Sequence, residues 1–143
     1  MTPGQFDAEV VRRHLFAIDE SLQVLRRHRG KPLQALIESP EERWAVERGL
    51  QLCAQNALDI ATHLAASAGN DVTDYGAAID RLADLDVLPR PFASRFRAVA
   101  GFRNVIVHAY LSVDPGIVHR LLNERLEDFA EFARHVSAYI GAR

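Results

Sequence analysis

The sequence predicts an all-α protein, a five-helix antiparallel up-and-down bundle. Two observations carry this. Long stretches repeat apolar residues in alternating steps of four and three, the spacing of a helix with one buried face. No stretch alternates with period two long enough to form a strand. With 143 residues, no internal repeat and no low-complexity linker, residues 1–143 read as a single helical domain.

The first helix is expected from about Phe6 to His28. Val11, Leu15, Ile18, Leu22 and Leu25 form its stripe, and Gly30 supplies a left-handed stop. His14 and His28 fall off the stripe and read as surface residues. The second helix has the clearest start. Ser39-Pro40-Glu41-Glu42 places a capping serine, a proline at the first helical position and a glutamate three residues on, a capping box. Val46, Leu50, Cys53, Ala57, Ile60 and Leu64 then form the seam, and Gly69 ends it. Trp44 suits either the core or an interface. Asn56 and Asp59 flank the seam, where they can face a cleft or solvent. A short third helix, about Asp74 to Asp86, is capped by Asp71, Thr73 or Asp74 and carries Ile79, Leu82 and Leu85.

Pro89 and Pro91 separate it from the fourth helix, which starts near Pro91. Arg90, Arg95, Arg97 and Arg103 make the densest basic patch without compensating acids in the sequence. The fifth helix is capped by Asp114 with Pro115 in its first turn. It continues through Leu122, Leu126, Phe129, Ala133, Val136 and Ile140, with His119 and His135 off the seam.

The fourth helix breaks its own pattern. Its seam runs Phe92, Phe96, Val99, then position 103, Ile106 and position 110. Arg103 and Tyr110 thus sit where a bundle would use Leu or Ile. A guanidinium on a buried seam is costly unless it is paired or meets an anion, and such breaks gather at functional sites. Arg103, Asn104, His108 and Tyr110 fall within two turns. An arginine can hold a phosphate by two hydrogen bonds and stabilise charge building on it. A histidine titrates near neutrality and serves as acid or base. Together they could cleave RNA without a metal. At about 100° per residue, Arg103 and His108 point roughly 140° apart. A cleft between two copies would let both address one phosphate, which argues for a symmetric dimer. The same groups near a helix C-terminus can instead simply cap it.

Other chemistries lack their signatures. No two of the six histidines have the spacing that puts both on one helical face, and no Cys/His cluster exists, so no metal site is expected. No Gly-x-Ser-x-Gly elbow or phosphate-binding Gly-rich loop occurs, and no cofactor is implied. With 17 basic and 19 acidic residues, bulk charge does not announce a nucleic-acid binder. The lone cysteine, Cys53, lies on an apolar seam and reads as core. No apolar run suits a signal peptide or membrane span, so a cytoplasmic protein without membrane contact is expected.

Arg103-Asn104-Val105-Ile106-Val107-His108-Ala109-Tyr110 matches R-N-x-x-x-H-x-Y, and in this it resembles the HEPN superfamily, specifically its HepT branch. Gly101-Phe102 before it and Leu111-Ser112-Val113-Asp114 after it fit as well. Glu47-Arg48-Gly49-Leu50-Gln51-Leu52 and Ala57-Leu58-Asp59-Ile60-Ala61 also look like that family's second helix. The resemblance spans about residues 5 to 141. It implies a toxin of a type VII-like toxin–antitoxin pair, a homodimer with the motif lining a cleft, and a metal-independent endoribonuclease acting on RNA. Arg103 and His108 would be the catalytic pair, and Asn104 would shape the site. The resemblance further implies an MntA-like nucleotidyltransferase antitoxin that neutralises the toxin by transferring AMP from ATP to Tyr110. Two other classes fit the same residues. One is a non-catalytic scaffold or regulatory partner of such an enzyme. The other is a helical module that binds a ligand in its cleft.

Overall fold

The computed structural model describes residues 6–69, 72, 74–108 and 114–141, with the backbone alone at 104–108. These residues form eight helical segments and no strand: α1 Ala8–His28, α2 Leu33–Glu38, α3 Pro40–Ser67, α4 Tyr75–Asp84, α5 Arg90–Phe96, α6 Ala98–His108, α7 Pro115–Glu124 and α8 Leu126–Gly141.

The expectation of five helices needs correcting in three places. The link between the first two predicted helices contains α2, whose six residues are too few to show a period. The predicted fourth helix divides at Arg97 and the fifth at Arg125. Arg97 keeps right-handed helical angles, so α5 and α6 nearly continue one another. Arg125 sits at φ −121°, ψ −1°, yet Leu122, Leu126, Phe129, Val136 and Ile140 are buried on either side of it, as the final seam predicts. Phe132 is also fully buried, whereas Ala133, expected on the seam, is only half-buried.

The helix ends follow local chemistry. The Asp7 carboxylate accepts from the N–H groups of Glu9 and Val10 at the start of α1, and Gly30 follows its end at φ +89°. Ser39 Oγ accepts from Glu42 N–H at 3.2 Å. The capping box closes on that side only. Glu42 instead accepts from His28 Nδ1 at 3.0 Å and Lys31 Nζ at 2.6 Å, while Ser39 N–H donates to the Ala35 carbonyl of α2. His28, then Lys31, hold the Glu42 carboxyl below its usual pKa. Asp74 caps α4 through Ala77 N–H at 2.7 Å.

The long α1 and α3 run antiparallel. His14 meets Asn56, the Ile18 carbonyl meets Cys53 Sγ, Leu25 faces Gly49, and His28 meets Glu42. One number rises as the other falls. Helix α8 runs antiparallel to α1 in the same way, from Arg26–Glu127 at one end to Phe6–Tyr139 at the other. Val46, Leu50, Cys53, Ala57, Ile60 and Leu64 are all buried, as the seam of α3 predicts, within one continuous core. Cys53 is wholly buried, which pushes its thiol up to about 12 and suits a packing residue rather than a nucleophile. Trp44 is 63% exposed on the single chain, so it is not core.

Candidate functional site

The approach to the site starts in an aromatic stack. Phe92 and Phe96 on α5 are buried, and Phe96 packs against Phe129 and Phe132 of α8. Phe102 of α6 sets its ring edge against Phe129. With Phe102 turned to α8, the next residue points about 100° around the helix, and Arg103 reaches α3 and α4.

Arg103 is half-buried, as its place on a broken seam implies. Its Nε–H donates to Gln55 Oε1 at 2.9 Å. Its guanidinium carbon lies 5.4 Å from the centre of the Tyr75 ring, within the range of a cation–π contact. Gln55 Nε2 in turn donates to Asp59 Oδ1 at 2.8 Å and lies 3.5 Å from the Tyr75 hydroxyl. Gln55 and Asp59 are four residues apart, hence neighbours on one face of α3. An open pocket of about 720 Å³ adjoins this corner, lined by Thr62, Tyr75, Gly76, Arg97 and Ala100 among others.

Of the predicted site residues, Arg103 alone has a described side chain. The backbone at Asn104 and His108 is helical, to the end of α6. Their side chains, and Tyr110 entirely, lie outside the described residues. Asn56 and Asp59 separate. Asn56 Oδ1 accepts from His14 Nδ1 at 2.8 Å, so it serves α1. Asp59 stands two hydrogen bonds from Arg103, through Gln55. Gln55 and Tyr75 were missed by sequence reasoning. The i, i+4 pair Gln55–Asp59 was the available signal.

The uncompensated basic patch is also corrected. Arg90 pairs with Asp84 at 2.8 Å, Arg95 with Glu131 at 3.2 Å and Asp128 at 3.5 Å, and Arg97 with Asp80. The hydrogen bond from Arg90 holds the Asp84 carboxyl below its usual pKa. The acids come from α4 and α8, six to several tens of residues away in sequence. His14 and His28, expected at the surface, are half-buried and hydrogen-bonded, and so are the off-seam His119 and His135. Among the described residues no group of three His, Cys, Asp or Glu side chains gathers as a metal site would need. No helix among them is long and apolar enough to cross a membrane.

Residues 18–136 match the HepT-like family, described as "Ribonuclease HepT-like". The chain belongs to the HepT-like ribonuclease family. The matched span contains the whole of Arg103–Tyr110 together with Gln55, Asp59 and Tyr75. Among individual proteins, the tRNA nuclease HepT of Aphanizomenon flos-aquae is 27% identical over 133 residues, 92% of this chain and 90% of that one. The mRNA nuclease HepT of Shewanella oneidensis is 27% identical over 90 residues, 62% of this chain and 68% of that one. In fold, the chain is similar to a tri-AMPylated Shewanella oneidensis HEPN toxin solved in complex with MNT antitoxin. The TM-score is 0.78 at 20% identity, covering 90% of this chain and 97% of that one.

Proposed function

We propose that this chain is the toxin of a toxin–antitoxin pair, a metal-independent endoribonuclease acting in the cytoplasm. The observation that carries the reading is Arg103, a half-buried arginine held on α6 at the head of R-N-x-x-x-H-x-Y, in a member of a ribonuclease family. In this reading His108 takes the proton of an RNA 2′-hydroxyl. The freed oxygen attacks the adjacent phosphorus, and Arg103 stabilises the charge that builds on the phosphorane. The 5′-oxygen leaves with a proton, giving a 2′,3′-cyclic phosphate and a 5′-hydroxyl. Asn104 shapes the site. Because Arg103 and His108 diverge around α6, two copies form the cleft as a homodimer, each lending its pair.

Tyr110 is the point of control. A nucleotidyltransferase partner transfers AMP from ATP to its hydroxyl: the phenolic oxygen bonds to the α-phosphorus and pyrophosphate leaves. An anion fixed two residues beyond His108 would occupy the place of a substrate phosphate. The two relatives named as nucleases and the AMPylated structural neighbour support this reading.

The neutralised arginines favour a second reading. With Arg90, Arg95 and Arg97 each bound to a carboxylate, the face near Arg103 has little charge to spare for RNA. The chain would then be a non-catalytic scaffold or regulatory partner of the nucleotidyltransferase. The test is cleavage of a defined RNA in EDTA by the purified chain, with His108→Ala and Arg103→Ala proteins in parallel. The nuclease reading expects cyclic-phosphate ends from the parent and at least a ~100-fold loss in either variant. No cleavage by dimeric, unmodified parent moves the assignment to the scaffold. Intact-mass analysis after incubation with partner and ATP tests Tyr110: adducts absent, or mapped elsewhere, remove the modification claim.

A further inference from the structure

Arg103 is held by side chains from two other helices, and the Gln55 amide is the central piece. An amide can turn either its oxygen or its nitrogen toward a neighbour. Only the oxygen can accept the Arg103 Nε–H. Asp59, one turn further along α3, removes the choice. An ionised carboxylate accepts hydrogen bonds and donates none, so the 2.8 Å contact with Asp59 Oδ1 requires the Gln55 nitrogen. The oxygen is left for Arg103 at 2.9 Å. The Tyr75 ring, 5.4 Å from the guanidinium carbon, limits the tilt of the group. The link is neutral where it touches the arginine, and the carboxylate stands one residue further back. Gln55 therefore orients the guanidinium without placing a negative charge in the way of a phosphate.

We propose that Gln55 and Asp59 act as a relay of positioning residues for Arg103. Asp59 fixes the Gln55 amide, and Gln55 fixes the guanidinium plane from α3. This rests on the reading of Arg103 as the group that meets the RNA phosphate. Misplacing such a group by about 1 Å can cost on the order of a hundredfold in rate. Removal of the relay is therefore expected to lower kcat ten- to a hundredfold, with KM for RNA little changed.

The experiment has two readouts on the purified full chain. One is the solvent exchange of the Arg103 Nε–H, followed by NMR and assigned with Arg103→Lys. The other is RNA cleavage. Gln55→Ala is expected to speed exchange about tenfold or more. Gln55→Met, which keeps the side-chain length and lacks the acceptor, should do the same and guards against a folding defect. Gln55→Glu, which retains an acceptor, should preserve the protection. Asp59→Ala should give a smaller effect. The Gln55→Ala/Asp59→Ala double variant should lose no more than Gln55→Ala alone, as coupled groups do. Unchanged exchange in both Gln55→Ala and Gln55→Met overturns the relay, as do fully additive losses in the double variant. If cleavage requires Arg103 but ignores Gln55 and Asp59, the relay fails and the nuclease reading stands. If the parent cleaves no RNA, the nuclease reading fails, and the exchange result alone decides whether the relay holds the arginine.

Discussion

Helix α3 serves its neighbours in opposite ways. Toward the middle of α1 it offers Gly49 beneath Leu25 and Cys53 beneath the Ile18 carbonyl, a close buried contact flanked by the Asn56–His14 and Glu42–His28 hydrogen bonds. Toward α4 and α6 it offers Gln55 and Asp59, a chain of directed hydrogen bonds ending on Arg103. The first region is specified by volume, the second by which atom donates and which accepts. Substitutions should therefore divide. Changes in the seam should move stability and spare the chemistry of the folded fraction, and changes at the corner should do the reverse.

The largest break in that contrast is expected from Leu50→Ala. Leu50 is wholly buried, so urea unfolding should show a loss of about 2–5 kcal/mol, with the Arg103 Nε–H of the folded fraction still protected. Gly49→Ala probes the close approach itself. An added Cβ would stand 2.6 Å from Leu25 Cδ2. The Leu25 side chain must shift, at about 1–3 kcal/mol by the same measurement. A smaller effect belongs to Ser39→Ala, which removes the one working half of the α3 cap. About 1 kcal/mol is expected, again without effect at the corner.

The smallest concerns Glu127, which ties α8 to Arg26 at 2.8 Å and Arg29 at 2.7 Å on the far side of α1. The Arg26 hydrogen bond, ahead of the one from Arg29, holds its carboxyl below the ordinary 4.5. Such a group contributes stability above the unfolded pKa and loses it as pH falls through the folded value. Parent and Glu127→Gln should differ slightly in thermal midpoint at neutral pH and converge in acid, as pH falls from 4.5 through the lower folded value. A difference that widens in acid would contradict the assigned pairing.

The same division explains what could be read in advance. Seams are periodic and local, so the buried faces of α1 and α3 were legible, with Leu15 alone of the expected seam residues only half-buried. The caps at Ser39 and Asp114 were legible too, and Asp74 was one of three candidates for α4. Breaks without Pro or Gly were not legible: nothing at Arg97 or Arg125 announces one, and Phe132, beside the expected seam position 133, was not read as core. Polar partnerships were illegible for another reason. Gln55 and Arg103 lie 48 residues apart, Arg95 and Glu131 36. No local pattern says which carboxylate or amide the fold will bring to an arginine. Arg103 itself was visible because it interrupts a period, and the residue that holds it was not.

Cys53 has one more consequence. It is the single cysteine of the sequence, lies against the Ile18 carbonyl at the middle of the α1–α3 contact, and has a thiol pushed to about 12. A thiol reagent needs both access and a thiolate, and the closed seam denies it both. Alkylation of the unmodified chain therefore counts openings of α1 from α3, giving the protein an internal clock for the breathing of its own scaffold.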